Sequence, residues 1–418
     1  MFLQNVIGNY AGISREAKYL IYSTILPSVA YGMLFTDLPY FLPQVQGITT
    51  NFTGLVMTLM GVSATIASIF LGIVADFYGR KRMLIGGNIL ASIVIVVFAL
   101  TTSPILLLTA AIFEGIAEAA VIASSSALLA EKVDHYKRNS VFSLYGFAQS
   151  IAWGIGGFAI PVVLIFEFFG FTTKESHIIL YLSFAILSLV STLLILKVGE
   201  STKLRKLPAD RRDLFSIKSK KILLKYVLTG AIIAFGAGMV VPLMSLWFKL
   251  RYNIPDIISG PILGVSSLLI ALATLVSPML AKKFGLIKGI VITQIASTIF
   301  MFLTPLSPDF ALAGFVYSIR ALLMNMASPL SQSMIMGLVP EEERGAVSGI
   351  SGALWRLPNA LSTWVGAGFM SIGLLSEPFY LASLLYVISI TLFWYFFRNV
   401  KMPEEQIGKS LCVEAPPD

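Results

Sequence analysis

The sequence predicts an all-α integral membrane protein with twelve transmembrane helices in two pseudo-symmetric six-helix bundles. Three observations carry that prediction. Hydrophobic residues make up 56% of the 418 residues and charged residues only 12%, whereas soluble domains average about 25% charged. Apolar runs of spanning length recur twelve times, and a polar, basic stretch separates the sixth from the seventh.

A spanning helix needs about 20 mainly apolar residues, because the hydrocarbon core is roughly 30 Å thick and a helix rises about 1.5 Å per residue. The first set of runs is Tyr19 to Phe41, Phe52 to Ala75, Met83 to Thr101, Ile105 to Leu129, Val141 to Phe168 and Ile178 to Leu196. The second is Ile222 to Trp247, Ile257 to Leu280, Ile287 to Leu303, Phe310 to Val339, Ala346 to Ile372 and Phe379 to Phe397. This places one bundle in residues 1–196, a basic linker in 197–225, a second bundle in 226–397 and a polar tail in 398–418.

Orientation follows from the cationic residues, which are disfavoured in translocated loops. With the N-terminus inside, only Lys174, Lys249 and Arg251 lie outside, Arg320 and Arg356 lie within spans, and the other 25 of the 30 Lys and Arg are cytoplasmic. Both termini are therefore expected inside, in the plasma membrane. The pI near 9.4 then reflects loops on one membrane face, and no nucleic-acid partner is expected. A single cysteine, Cys412, excludes an intrachain disulfide. The two histidines, His135 and His177, are assigned to separate loops, so no buried metal site, catalytic triad or cofactor is expected. The first residues lack a basic start and a small-residue cleavage site, and are read as a retained segment.

The two halves also match each other at a fixed offset. Shifting by 206 residues places Arg138, Val141 and Gly146 on Arg344, Val347 and Gly352, and Ala75 and Gly79 on Ala281 and Gly285. A gap-free register favours a duplicated six-helix unit.

The most specific motif is Gly72-Ile-Val-Ala-Asp76-Phe-Tyr-Gly79-Arg80-Lys81-Arg82, between the second and third spans. Its glycines suit close helix packing and a tight turn, and Asp76 can place a charge at a helix N-terminus. At every defined position it resembles the loop signature G-x-x-x-D-x-x-G-R-[KR]-x of the major facilitator superfamily. That resemblance implies a cytoplasmic latch in which Asp76, Arg80 and Glu131 form a charge relay, supported by Gly72, Gly79 and Arg82. The equivalent second-half loop keeps Gly285 but has Lys282 in place of the aspartate. The fourth and fifth spans lack a complete antiporter signature: Ala111 stands at the position of a buried arginine, and no Gly-Pro pair follows Gly146.

Charged residues inside spans carry the most functional weight, since each costs about 2.5–3.5 kcal/mol at a helix centre. Glu114 and Arg320 each lie roughly 15 Å into their spans and are repeat equivalents. Glu118 shares a helix face with Glu114 at i,i+4, Arg356 lies near the midplane, and Asp37 sits closer to the outer surface. The resemblance implies that the first, fourth, seventh and tenth spans line a central pathway, which aims Asp37, Glu114, Glu118 and Arg320 at one cavity. Substrate contacts are assigned to Glu114, Glu118, Arg320, Asn325 and Arg356, with a structural Glu114–Arg320 salt bridge as the alternative. Asp37, Glu114 and Glu118 outnumber Arg320 and Arg356 by one, and a buried carboxyl without a counter-charge favours its neutral form. Proton coupling is accordingly assigned to Asp37 or Glu118. Trp153 and Trp355 are weaker candidates for stacking, and Trp247 reads as an interfacial anchor.

The expected function is secondary active transport of a small organic solute by alternating access, as proton-coupled efflux. Proton-coupled uptake of a metabolite or organic anion is the alternative, and a membrane sensor or scaffold is the non-transport one. No Walker A pattern or catalytic constellation is present, so an enzyme is not expected. The partners are a small-molecule substrate, protons and the lipid bilayer, and the chain is expected to act as a monomer.

Overall fold

The computed structural model describes residues 13–133, 138–200, 219–340 and 343–400. Among these the regular structure is entirely helical. Twelve long helices follow the predicted runs: α1 (Arg15–Tyr40), α2 (Thr50–Tyr78), α3 (Arg80–Leu100), α4 (Pro104–Glu131), α5 (Arg138–Ala159) and α6 (Thr173–Ile195), then α7 (Lys220–Gly238), α8 (Asp256–Phe284), α9 (Leu286–Leu303), α10 (Phe310–Leu338), α11 (Arg344–Ser371) and α12 (Glu377–Phe397). α5 runs on through a 3₁₀ turn into Val163–Phe168, and α7 likewise into Met244–Tyr252. Eleven of the twelve are long and apolar enough to cross a membrane. The exception is α11, which carries Arg356, Asn359 and many small residues.

Helix ends are set by local chemistry. Ser14 caps α1 by accepting from the Ala17 N–H, Thr49 caps α2, and Thr172 and Glu175 form a reciprocal capping box at α6. Two predictions about ends need correcting. α7 begins at Lys220, so the last part of the predicted linker is helical, while residues 201–218 lie outside the described residues. His177 is not in a loop, because the Thr172 cap starts α6 early enough to place it in the second turn.

The repeat is visible in the helix starts. Thr50 and Asp256, Arg80 and Leu286, and Pro104 and Phe310 each open a helix and stand 206 residues apart. Gly79 (φ 98°) and Gly285 (φ 77°) occupy equivalent turns in the left-handed region, where a Cβ is strained. Matching polar ties recur as well: Ser191 Oγ donates to the Ser23 carbonyl at 2.8 Å between α6 and α1, and Ser389 Oγ to the Thr229 carbonyl at 2.7 Å between α12 and α7.

The chain divides into two compact units. The first contains α1–α6 together with Val241–Leu268 and Ala360–Leu375, and the second contains α7 up to Val240, Leu269–Asn359 and the chain from Ser376. Without a hydrophobic drive between helices in lipid, packing rests on small residues and hydrogen bonds. In the first unit, a Cβ on Gly157 would lie 2.6 Å from the Gly260 carbonyl, and one on Gly264 2.8 Å from the Gly154 carbonyl, so α5 and α8 meet backbone to backbone. Thr58 Oγ donates to the Ala360 carbonyl at 2.8 Å and accepts from the Trp364 N–H at 3.1 Å, inserting α2 into the hydrogen-bond ladder of α11. Trp247 is fully buried and donates to the Leu375 carbonyl at 2.9 Å. It is an interior strut and not the interfacial anchor its position near a span end implied.

Candidate functional site

In the first unit, α1 ends in a π-helical turn, Phe41–Val45, and this marks the site. Such turns widen the backbone and are frequent at functional positions. One turn earlier, Asp37 is completely buried, and the polar groups that face its carboxyl are Tyr181, His177 and Asp256. The start of α6 brings His177 beside it and the start of α8 brings Asp256; the ligand atoms of all three lie within 4.8 Å of one another. His177 Nε2 is 2.8 Å from Asp256 Oδ2, and Nδ1 is 2.7 Å from the Thr173 carbonyl. The Phe41 ring stacks on the imidazole with centroids 5.5 Å apart, and Tyr181 packs on Phe41 at 4.8 Å. The three groups are close enough to surround a cation, yet both imidazole nitrogens are already engaged. The geometry therefore fits a proton site better than a metal site.

Sequence reading found Asp37 and missed the other two. His177 and Asp256 stand just before Ile178 and Ile257, where the apolar runs begin, and so looked like loop residues. They are 79 residues apart, and spacing alone gives no sign that they meet.

In the second unit, Arg320 is 3% exposed and donates through Nη2 to the Tyr386 hydroxyl. Its guanidinium also lies 5.9 Å from the Tyr317 ring centroid and 5.6 Å from that of Tyr386, within cation–π range. Ser297 Oγ donates to the Arg320 backbone carbonyl at 2.9 Å, fixing α9 to α10 at this level. Asn325, little more than a turn further on, spends its amide on the Ala321 carbonyl at 2.8 Å. Arg356 is half-buried on α11.

Glu114 is 1% exposed on α4, while Glu118, one turn along, is half-buried. Glu114 belongs to the first unit and Arg320 to the second. Gly115 beside it lets α4 approach Met60, Ser63 and Ala64 of α2 with no room for a side chain. Between α1 and α5, Tyr31 and Phe35 pack on Trp153 with ring centroids 5.6 and 5.5 Å apart.

At the opposite end of the first unit, near the start of α1, the motif loop is held by charge. Arg80 and Glu131 form an ion pair. Glu200 accepts from the Lys81 N–H at 3.1 Å, and Lys81 Nζ donates to the Leu196 carbonyl at 2.9 Å. Lys132 pairs with Glu16 at 3.1 Å, and Glu16 also accepts from the Gly199 N–H. Arg82 is exposed. The surroundings of Gly72 and the side chain of Asp76 lie outside the described residues.

Comparison with known proteins decides the family. A family model described as Major Facilitator Superfamily matches residues 20–363. The chain belongs to this superfamily. It is 23% identical over 401 residues to a Na(+), Li(+), K(+)/H(+) antiporter of Planococcus maritimus, covering 86% of this chain and 92% of the relative. It is 26% identical over 255 residues to the multi-drug resistance efflux pump PmrA of Streptococcus pneumoniae, covering 59% and 61%. Among solved structures, a variant of the nucleoside transporter NupG superposes with a TM-score of 0.76 at 14% identity, covering 92% of this chain and all of that one. A bacterial homologue of the human lysosomal transporter Spinster, inward-facing and occupied, gives 0.75 at 13%, covering 91% and 96%. The expected fold, twelve helices in two pseudo-symmetric bundles spanning a membrane, is thereby established, and the chain is a multi-pass transporter of this family.

Proposed function

We propose that the protein is a proton-coupled exporter of small organic compounds, working by alternating access, with Asp37 carrying the coupled proton and Glu118 as the second candidate. The observation that carries this reading is the Asp37 carboxyl, fully buried beside a second carboxyl, Asp256, and the His177 imidazole. Asp37, Asp256 and His177 together hold two carboxyls and one imidazole within 4.8 Å, so a single proton can be exchanged among them as their surroundings change. Relatives named as a cation/H(+) antiporter and as a drug efflux pump support the antiport direction. Substrate contacts fall on Glu114, Glu118, Arg320, Asn325 and Arg356, and the motif loop with Asp76, Arg80 and Glu131 latches the cytoplasmic side. The protein acts as a monomer in the plasma membrane with both termini inside.

Uptake of an organic anion is the second reading. Arg320 favours it, because a buried guanidinium held by a hydroxyl and two aromatic rings keeps donors for a carboxylate or phosphate.

The test is transport by purified protein in proteoliposomes, using ethidium, a nucleoside and an organic anion as probes. A pH gradient should drive accumulation of at least one probe by the wild type. Asp37→Asn should lose that accumulation while retaining probe exchange, which needs no net proton movement. If Asp37→Asn and Glu118→Gln both still accumulate the probe, the coupling residue lies elsewhere.

A further inference from the structure

Two contacts fix the protonation of His177. The Thr173 carbonyl can only accept, so Nδ1 carries a hydrogen at 2.7 Å. Nε2 then faces Asp256 Oδ2 at 2.8 Å. If the imidazole were neutral and Asp256 ionised, two lone pairs would meet there. The contact is a hydrogen bond only when one further proton is present, on the imidazolium or on the aspartic acid. In either form the pair holds the same number of protons and is neutral as a whole.

The pair also joins two parts of the chain. His177 opens α6, in the first half of the repeat, and Asp256 opens α8, in the second half. Immediately below, α8 lies against α5 through Gly154, Gly157, Gly260 and Gly264, where the backbones approach closely and the side chains of Phe158, Ile160 and Leu268 pack over the glycines. The groups facing the pair are Asp37 and Tyr40 from α1 and Tyr181 from α6, with Glu167 acting on Tyr40 from beyond the end of α5.

We propose that the proton shared by His177 and Asp256 is the bolt of a gate at the end of the first unit remote from the start of α1, and that Asp37, when ionised, is the group to which this proton passes as the gate opens. The transfer balances. The proton leaves the Nε2–Oδ2 bond, an Asp37 oxygen accepts it, and the neutral imidazole and Asp256 carboxylate left behind repel at the old contact distance. α8 is then released from α6. The inference rests on the proton-coupled reading above and deepens it by assigning His177 and Asp256, which no transport argument had used.

Spin labels at Phe169→Cys and Arg251→Cys, both exposed at this end, in a Cys412→Ser background would report the gate without any transport assay. In detergent or lipid, the wild-type distance distribution should be short at about pH 5 and gain a longer component by about pH 9, through the range where imidazole titrates. Asp256→Asn supplies an N–H to the bare Nε2, closing the contact with no extra proton, and should stay short throughout. Asp256→Ala and His177→Ala should show the long component even at the lower pH. A wild-type distribution that ignores pH would overturn the proposal, and so would matching behaviour of Asp256→Asn and Asp256→Ala. Failure of proton-driven flux with an intact distance response would instead count against the coupling reading alone.

Discussion

Arg320 and the Asp37 group are both buried charges in a membrane protein, yet they are held in opposite ways. Arg320 rests on neutral partners from one repeat half, the Tyr386 hydroxyl and the faces of Tyr317 and Tyr386. Asp37 sits among ionisable partners, His177 and Asp256, gathered from three helices and from both halves of the repeat. A cation on neutral partners keeps its charge through a cycle and suits binding. Two carboxyls sharing one imidazole can change charge by moving a single proton, and that suits coupling and gating.

If this contrast is right, removing the Arg320 charge should have the largest effect on transport. Arg320→Ala deletes the buried cation and strands the Tyr386 hydroxyl, a neutral group whose lost partner costs about 1–3 kcal/mol. Flux of every probe should fall by about ten-fold or more, and Arg320→Lys should recover only part of it because an ammonium lacks the guanidinium fork. Near-normal flux through Arg320→Ala would remove the residue from the pathway.

The α5–α8 contact sharpens the comparison from the packing side. Gly157→Val must push apart two backbones that meet without side chains and should lower thermal stability by about 1–3 kcal/mol, the usual cost of overpacking. Gly146→Ala, with nothing within 4 Å of its Cβ, should be neutral or slightly stabilising in a melting assay.

Smaller effects are expected at the motif loop. Gly79→Ala places a Cβ on a residue with φ 98° and 2.7 Å from Glu200, at a cost of about 1–2 kcal/mol for the backbone strain. Melting should show it, and the Lys81–Glu200 contact should loosen. The smallest change belongs to Asn325→Ala. Its amide N–H is bound within its own helix, which leaves the side-chain carbonyl as its substrate contact, so probe affinity should fall by about two-fold, well under 1 kcal/mol by the affinity relation. Unchanged affinity would remove Asn325 from the substrate contacts.

Much of the fold was legible because lipid imposes long apolar runs, and because the duplicated half repeats its helix starts at a constant interval. In-span charges such as Glu114 and Arg320 stood out for the same reason, each being costly in an apolar run. His177 and Asp256 carried no such mark. Both lie where an apolar run begins, and a polar residue there is ordinary in sequence; only the third dimension shows them buried against each other. Trp247 was misread for the matching reason, since position near a span end does not reveal whether lipid or protein lies beside it.

The central claim is that solute movement is tied to proton movement. Its most direct test follows a pH-sensitive dye inside proteoliposomes while a probe is added to the outside, with and without a protonophore. A transported probe should change the internal pH in the direction of antiport, and the protonophore should abolish its accumulation. Probe accumulation that is unaffected by the protonophore, with no change in internal pH, would contradict it.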